Sequence, residues 1–482
     1  MRIIGNNPDA DNAEITAVAS GTLPDGKPVV VNADGTVSVV AGVDQAFGSA
    51  VVFNAGTIYQ PALKGAFDSS NNKVVIAYKD SGNSSYGTAI VGTVSGTSIS
   101  FGSEVIFEAA AIDYPAITFD SSNNKVVIAY EDVGNSEYGT AIVGTVSGTS
   151  ITFGSAVVFN AGRVEEVVIT FDSSNNKVVI AYQDRVNNSK GTGIVGTVSG
   201  TSISFGNEVA LSNPVNFMSA TFDSSNNKVV ISYRHSTTDK GYAVVGTVSG
   251  TSISFGTEVI FENAATSNNI DSTFDSSNNK VVIVYTDAGN SNYGTAIVGT
   301  VSGTSISFGT AVVFEAASAF QTIVTFDSNA NKVFVAYRDQ DNSNYSTAIV
   351  GTVSGTSISF GSPTVFEAAT SYPSSAIFDS FNNKVVIGYR DGGNSNYGTS
   401  IVFQNESTNL TSENFIGFSD AAYADTQTAT IEVGSAINNG QSSLTIGQQY
   451  FVQTDGTIGT TAADPSVIAG TAISATEIIV KG

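Results

Sequence analysis

The sequence predicts an all-β chain: a seven-bladed β-propeller whose N-terminal strand closes the last blade, inserted into a small β domain formed by both chain termini. Three observations predict it. A Phe-Asp pair recurs at Phe67, Phe119, Phe171, Phe222, Phe274, Phe326 and Phe378, in steps of 52, 52, 51, 52, 52 and 52 residues, and a fixed period of that length marks a repeat architecture. The first six copies each hold four strand-like segments, and no copy has helical spacing. The seventh copy stops after its third strand, and a fourth strand without companions stands ahead of the first copy, as FGSAVVF at residues 47–53.

One copy shows how the elements arise. PAITFD (115–120) is a short apolar run, SSNN a turn, and KVVIAYED (125–132) a β-branched strand, which together make a hairpin. After the looser VGNSEYG, TAIVGTV (140–146), the turn SGTS and ITFGSAVVF (151–159) make a second hairpin. Strands such as KVVIAY are apolar on both pleat faces, so both faces of each sheet must be covered, which radial stacking of sheets achieves. The glycine of the third strand (Gly92, Gly144, Gly196, Gly246, Gly299 and Gly351) is read as a place where the next sheet comes close. A linear solenoid is the rival, but it would carry atypical capping units rather than a displaced strand. The expected domains are 1–43 and 405–482, the two parts of the flanking β domain, around a propeller at 44–404.

Composition narrows the function classes. Nineteen basic against 42 acidic residues give a formal net charge of −23, which opposes nucleic acid and anionic membrane surfaces. There is no cysteine, so neither disulfides nor thiolate metal sites are expected. No apolar run approaches the roughly 20 residues of a membrane helix, and MRIIGNNPDADN lacks the apolar core of a signal peptide. Catalysis finds no signature: His235 is the sole histidine, tryptophan is absent, and no SxDxGxTW box occurs. No catalytic residue, metal site or cofactor is expected; a hydrolase built on paired carboxylates is the alternative from another class.

The flanks repeat each other. GKPVVVNADGTVSVV (26–40) matches GQQYFVQTDGTIGTT (447–461), and NFIGFSDAAYADTQTATIEV (414–433) matches SVIAGTAISATEIIVKG (466–482) in its glycine after an apolar pair and its final strand. These segments, with NNPDADNAEITAVASGTLPD before them, resemble β segments of virion proteins of tailed bacteriophages, marine ones especially. The resemblance implies a virion location, a tail fibre or appendage or else a capsid decoration or head-fibre protein, contacts with other virion proteins through the terminal domain, a host-surface glycan or receptor as the propeller's partner, and self-association into a homo-oligomer.

Seven internal copies also allow an internal comparison. The turns DSSNN and SGTS barely change, whereas the loops joining fourth to first strands and second to third strands vary, and in a propeller these share one face. On that face Arg163, Glu165, Glu166, Arg185, Lys190, Arg234, His235 and Lys240 fall in one sector, a candidate for an anionic sugar through charge-assisted hydrogen bonds. Tyr59, Tyr114, Phe217, Phe320 and Tyr372 are candidates for stacking on sugar rings. The ligand-binding candidates are therefore Tyr59, Tyr114, Arg163, Arg185, Lys190, Arg234, His235 and Tyr372. The seven aspartates starting with Asp68 are assigned instead to local turn hydrogen bonds or a pairing with the lysines across the turn.

Overall fold

The computed structural model describes residues 13–463 and 465–481, and the side chains of residues 59–62 and 267–268 lie outside that description. Among the described residues the chain is all-β except for two single-turn 3-10 segments, Val133–Asn135 and Ala288–Asn290. The described residues form two compact units, one comprising those up to Ala46 and from Asn405 onward, the other Phe47–Gln404.

In the larger unit each repeat builds an antiparallel ladder. Lys125–Asp132 pairs on one side with the run ending at Asp120 and on the other with Tyr138–Ser147, which in turn pairs with Ser150–Phe153 and the strand beginning at Val157. Six further ladders follow this pattern. The loop expected between fourth and first strands is mostly absent. Val157–Asp172 runs as one extended strand, outer in one sheet and inner in the next, as do Val105–Asp120, Val209–Asp223, Val312–Asp327 and Thr364–Asp379. Both halves of such a strand have a sheet partner, so the backbone needs no exposed connection to satisfy its hydrogen bonds.

The apolar cores lie between consecutive sheets. Val282, Val284 and Val298 of one sheet meet Val333, Val335 and Tyr337 of the next. The last sheet meets the first in the same way, Ile377, Val386 and Val402 packing with Val74, Ile76 and Tyr78. Such mutual burial stabilises by about 25 cal/mol per Å² of apolar surface removed from water. Every interface also carries a polar pin. The second-strand tyrosines Tyr78, Tyr130, Tyr182, Tyr233, Tyr285, Tyr337 and Tyr389 are fully buried. Tyr337 donates to Glu315 on the outer strand of the preceding sheet at 2.7 Å, and Tyr130, Tyr285 and Tyr389 donate likewise to Glu108, Glu262 and Glu367. Where that outer strand offers Asn54, Asn160 or Asn213 instead, the amide donates to Glu104, Glu208 or Glu258 of the tyrosine's own sheet, and Tyr78 donates to Glu104 at 2.7 Å. Burial first, then the hydrogen bond to and charge of the neighbouring glutamate, push Tyr78 and Tyr285 far above the usual phenol range.

The third-strand glycine does not admit the neighbouring sheet. A Cβ on Gly144 would lie 2.7 Å from Ile151 Cδ1 and 3.0 Å from Phe153, both in its own hairpin, so the space serves side chains within one sheet. Close approach falls on another glycine: a Cβ on Gly154 would lie 1.9 Å from the carbonyl oxygen of Thr201 in the next repeat's SGTS turn. The same contact recurs at Gly102, Gly206, Gly256 and Gly309. The seventh repeat lacks that turn, and Gly361 faces nothing closer than Val350 O at 3.7 Å. Its sheet is completed by the leading strand, with Ser400 opposite Val51 and Thr399 opposite Val52. Phe403 replaces the glycine there, its ring 4.9 Å from Phe47 and 4.8 Å from Phe334, filling the place of the missing isoleucine.

The seven turn aspartates are satisfied locally. Asp68 Oδ1 accepts from the N–H groups of Ser70 and Asn71 at 2.9 and 3.1 Å, and Oδ2 from Asn71 Nδ2 at 2.9 Å. The copies at Asp120, Asp172, Asp223, Asp275, Asp327 and Asp379 accept the same backbone pair.

The smaller unit holds two five-stranded sheets of identical order. Glu14–Val18, Thr428–Glu432, Phe415–Ser419, Pro28–Val31 and Val37–Val39 form one; Ile437–Asn438, Ile478–Val480, Val467–Ala472, Gln449–Val452 and Ile458–Gly459 form the other. Each has an Asp-Gly-Thr turn in which Asp34 or Asp455 accepts from the threonine two residues on, by both N–H and hydroxyl. The sheets share a core of Val30, Leu410 and Phe418 with Tyr450, Val452 and Ile478. Gly42 and Val43, leading out of this unit, pair with Thr408 and Ser407, leading back in.

Two outcomes follow. Gly154→Ala should lower unfolding free energy in urea by about 1–3 kcal/mol through overpacking, while Gly361→Ala should leave it within about 0.5 kcal/mol. Tyr337→Phe should cost about 1–3 kcal/mol because Glu315 loses its buried donor; equal urea midpoints for parent and variant would remove the pin.

Candidate functional site

The site is built by one irregularity repeated around the ring. Pairing of first and second strands slips once, between Asp113 and Ala116, Glu165 and Val168, Asn216 and Ser219, and Phe320 and Ile323. Within each slip one residue adopts positive φ: Tyr114 at 47°, Glu166 at 52°, Phe217 at 49° and Gln321 at 47°, with Asn269 at 104° in the repeat between. A non-glycine residue in the left-handed region costs about 1–2 kcal/mol, and such strain is tolerated only where the surrounding ladder imposes it. These five residues, with Lys64 from the first repeat and Pro373 and Ser374 from the seventh, line a cavity of about 310 Å³ to which all seven innermost strands contribute.

Its chemistry is mixed. Glu166 is pushed up to about 7, by burial first and then by the charge of Glu165, against the opposing effects of the Phe217 N–H and Lys64. Asp271 is held by donation from Ser219 Oγ at 2.9 Å and Val324 N at 3.0 Å, which ties three consecutive inner strands together. Asn269 Nδ2 and Gln321 Oε1 are buried and have no protein partner. Phe217, Met218, Ile270 and Ile323 supply apolar wall.

Outside the cavity, the penultimate residue of the second strand differs between repeats and meets the next inner strand with matching chemistry. Lys79 Nζ lies 2.8 Å from Asp113, Gln183 Nε2 donates to Asn216 at 2.7 Å, and Thr286 donates to Ala319 O at 2.6 Å. In the sixth repeat the contact is cation on ring, the guanidinium carbon of Arg338 4.9 Å from the centroid of Tyr372 on the next inner strand; Arg390, opposite Tyr372 in its own ladder, covers the same ring at 3.8 Å.

The predicted site residues thus part company. Tyr114 lines the cavity, whereas Tyr372 is flanked by two arginines. Arg163 bonds Glu165 at 2.7 Å and lies 3.4 Å from Glu137 and 4.0 Å from Glu131; Arg185 lies 3.4 Å from the same Glu165. Arg234 pairs with Asp239 and lies 5.6 Å from the Phe217 ring. His235 Nδ1 faces the N–H of Thr237 at 3.2 Å, and half-buried Lys190 opens the strand Lys190–Ser199. The side chain of Tyr59 lies outside the described residues. The sector is therefore a set of compensated ion pairs around Arg163, Arg185 and Arg234. Among the described residues no group of three or more His, Asp or Glu side chains is placed to hold a metal ion.

Lys64, Asn269, Asp271 and Gln321 escaped sequence reasoning, and Glu166, grouped in sequence with Glu165 and the nearby cations, lines the cavity with Glu165 beside it. A signal existed for most of them: Tyr114, Glu166, Phe217, Asn269, Gln321 and Pro373 follow each other at steps of 52, 51, 52, 52 and 52, one repeat position that never holds the same residue twice.

No protein-family model matches the chain, and no curated protein is similar to it in sequence. Solved structures do resemble it. BP39L lectin from Burkholderia pseudomallei shares 9% identity at a TM-score of 0.55, covering 74% of this chain and 99% of that one. AofleA from Arthrobotrys oligospora shares 11% at 0.43, over 72% and 97%. A protein of unknown function from Dyadobacter fermentans shares 10% at 0.45, over 75% and 99%. The likeness to the first is one of fold, and it is that of a propeller-like all-β structure.

Glu131 supplies a pH test. Burial, then the charges of Asp113, Glu137 and Glu165, push its carboxyl up to about 8, with Arg163 opposing. A folded-state value above the unfolded one gives stability that is complete below about pH 4.5 and is lost as pH rises through about 8. Glu131→Gln should therefore melt with the parent at pH 4.5 and several degrees above it at pH 9; parallel melting curves across that range would contradict the assignment.

Proposed function

We propose that the larger unit is a seven-bladed β-propeller, closed by its own leading strand, that binds carbohydrate without turning it over. The observation that carries the reading is the strained inner-strand position. Seven copies keep one scaffold almost unchanged yet vary this residue, and it lines a cavity together with aromatic, amide and carboxylate residues. A concave site of apolar surface with a few convergent polar groups is the usual form of a small-molecule site. Similarity of fold to a lectin supports carbohydrate as the ligand class.

In this reading Tyr114 and Phe217 stack on the sugar. Tyr372, Arg163, Arg185, Lys190, Arg234 and His235 extend the contact outward, where the guanidinium groups would exchange Glu165 and Asp239 for the carboxylates of an acidic glycan; Tyr59 is kept as a stacking candidate from the sequence alone. The resemblance of the flanks to virion segments supports a place on a tailed-bacteriophage particle, as a tail appendage or a capsid decoration. There the smaller unit would join other virion proteins, copies of the chain would associate, and the propeller would meet a host-surface glycan.

Purified protein should bind a subset of a glycan array and leave every bound glycan chemically intact. Tyr114→Ala with Phe217→Ala should weaken that binding by about tenfold or more, some 1.4 kcal/mol. Arg185→Ala, Arg234→Ala and His235→Ala combined should weaken only acidic glycans. An array without any hit would end the carbohydrate reading, turnover of a hit would replace it with the hydrolase alternative, and particle reconstruction that omits this chain would end the virion reading.

A further inference from the structure

We infer that Arg338 and Arg390 form a binding site for one oxyanion, a carboxylate or sulfate group carried by an acidic sugar. This rests on the carbohydrate reading above and names the ligand class of a second site, apart from the axial cavity. The two arginines hold the penultimate position of the second strand in the sixth and seventh repeats. Arg338 stands opposite Phe320 in its own ladder and Arg390 opposite Tyr372, and both guanidinium groups converge on the Tyr372 ring, at 4.9 and 3.8 Å from its centroid. In the first five repeats the residue at this position meets a group of complementary chemistry, as Lys79 meets Asp113 and Arg234 meets Asp239. Among the described residues neither Arg338 nor Arg390 has a carboxylate within 4.0 Å.

Two guanidinium groups on one ring repel each other, and an aromatic ring, which carries no net charge, offsets that only in part. Burial holds Arg338 below the usual guanidinium value; Tyr372 works against that fall and the charge of Arg390 adds to it. The carboxylates nearest in sequence are committed elsewhere. Asp339 and Asp391 follow the arginines on the opposite pleat face and accept from the N–H groups of Asn342 and Asn394 at 3.1 and 3.0 Å, and Asp341 accepts from Ser318 N at 3.2 Å. In a chain with 42 acidic residues, two adjacent cations left without any of them mark a place where the counter-charge comes from outside.

A guanidinium donates through its N–H groups and accepts nothing, so its complement is a set of acceptors with negative charge, which a sugar bearing hydroxyl groups alone lacks. Nε of both arginines is buried without a partner and is closed to a ligand. The contact falls to the terminal Nη groups of these half-buried side chains, the end that takes a carboxylate or sulfate in a forked pair. The formal net charge of −23 disfavours a dense polyanion, so the ligand is one with isolated acidic groups. Tyr372 directly precedes Pro373 and Phe320 directly precedes Gln321, both of which line the axial cavity. The anion site therefore adjoins the cavity along two inner strands.

The test is calorimetric titration of the full chain at low salt with methyl glucuronide, glucose 6-sulfate, methyl glucoside and sodium sulfate. At least one of the two acidic sugars should bind saturably, at least tenfold tighter than methyl glucoside. Arg338→Met combined with Arg390→Met, which keeps an apolar stem on Tyr372 and removes both charges, should reduce that affinity at least tenfold, with thermal melting of the double variant as the control for folding. Should the double variant fail to fold, NMR of the arginine Nε–H groups in the parent decides, the signals being assigned with the single variants Arg338→Lys and Arg390→Lys. The signals of Arg338 and Arg390 should move on titration with the acidic sugar, and movement confined to other arginines overturns the inference. Equal affinity for acidic sugars and methyl glucoside, or acidic-sugar binding unchanged in the folded double variant, overturns it too and leaves carbohydrate binding standing. Sulfate bound through these two arginines while every saccharide fails, here and on the array, overturns the carbohydrate reading and keeps the oxyanion site; failure of sulfate and of every saccharide overturns both.

Discussion

The larger unit depends on sheets that are apolar on both faces. Val74, Val75, Ile76, Ala77 and Tyr78 are all buried although successive side chains point to opposite sides, so a sheet standing alone would expose one full face to water. Only a neighbour on each side removes that exposure, and only a closed succession gives every sheet two neighbours. The core joining Val386 and Val402 to Val74 and Ile76 meets that requirement, as does the ladder that pairs Val51 with Ser400.

Apolar faces alone would let the sheets slide. The buried tyrosines set the register of one sheet on the next, because a phenol held away from water must reach its carboxylate or leave both groups unsatisfied. The arrangement tolerates two chemical solutions, glutamate on the preceding outer strand or asparagine there with glutamate nearby, as at Glu315 and at Asn54 with Glu104. What stays constant is satisfaction of the hydroxyl in the wall between sheets. A scaffold fixed this firmly can impose a left-handed conformation on residues as unlike as Tyr114, Glu166 and Gln321, and so can carry different chemistry at one place without changing shape.

Much of this was legible. Hairpin boundaries at Lys125 and Asp132 follow from β-branched runs between turn residues, and the assignment of Asp68 and its copies to their own turns follows from Asx chemistry. The similarity of residues 26–40 to 447–461 reflects two sheets of one strand order. Other features were hidden because they depend on which atom meets which. Gly144 and Gly154 are both glycines in β-rich sequence, yet one makes room for its own hairpin and the other for a carbonyl from the next repeat. The cations around Arg163 and Arg185 stand out in an acidic chain, but sequence order does not reveal that Glu165 lies between them.

By itself the sequence determined the period, the strand pattern within each repeat, the displaced fourth strand and the duplicated flanks, since these depend on local propensity and on apolar spacing along the chain. Tertiary structure alone decided that a slip in the inner ladders turns one residue toward a common cavity, and that Arg163, Arg185 and Arg234 are paired with carboxylates. The first outcome depends on residues about fifty positions apart meeting at one cavity, and the second on which side chains reach each other in space, neither of which a local pattern encodes.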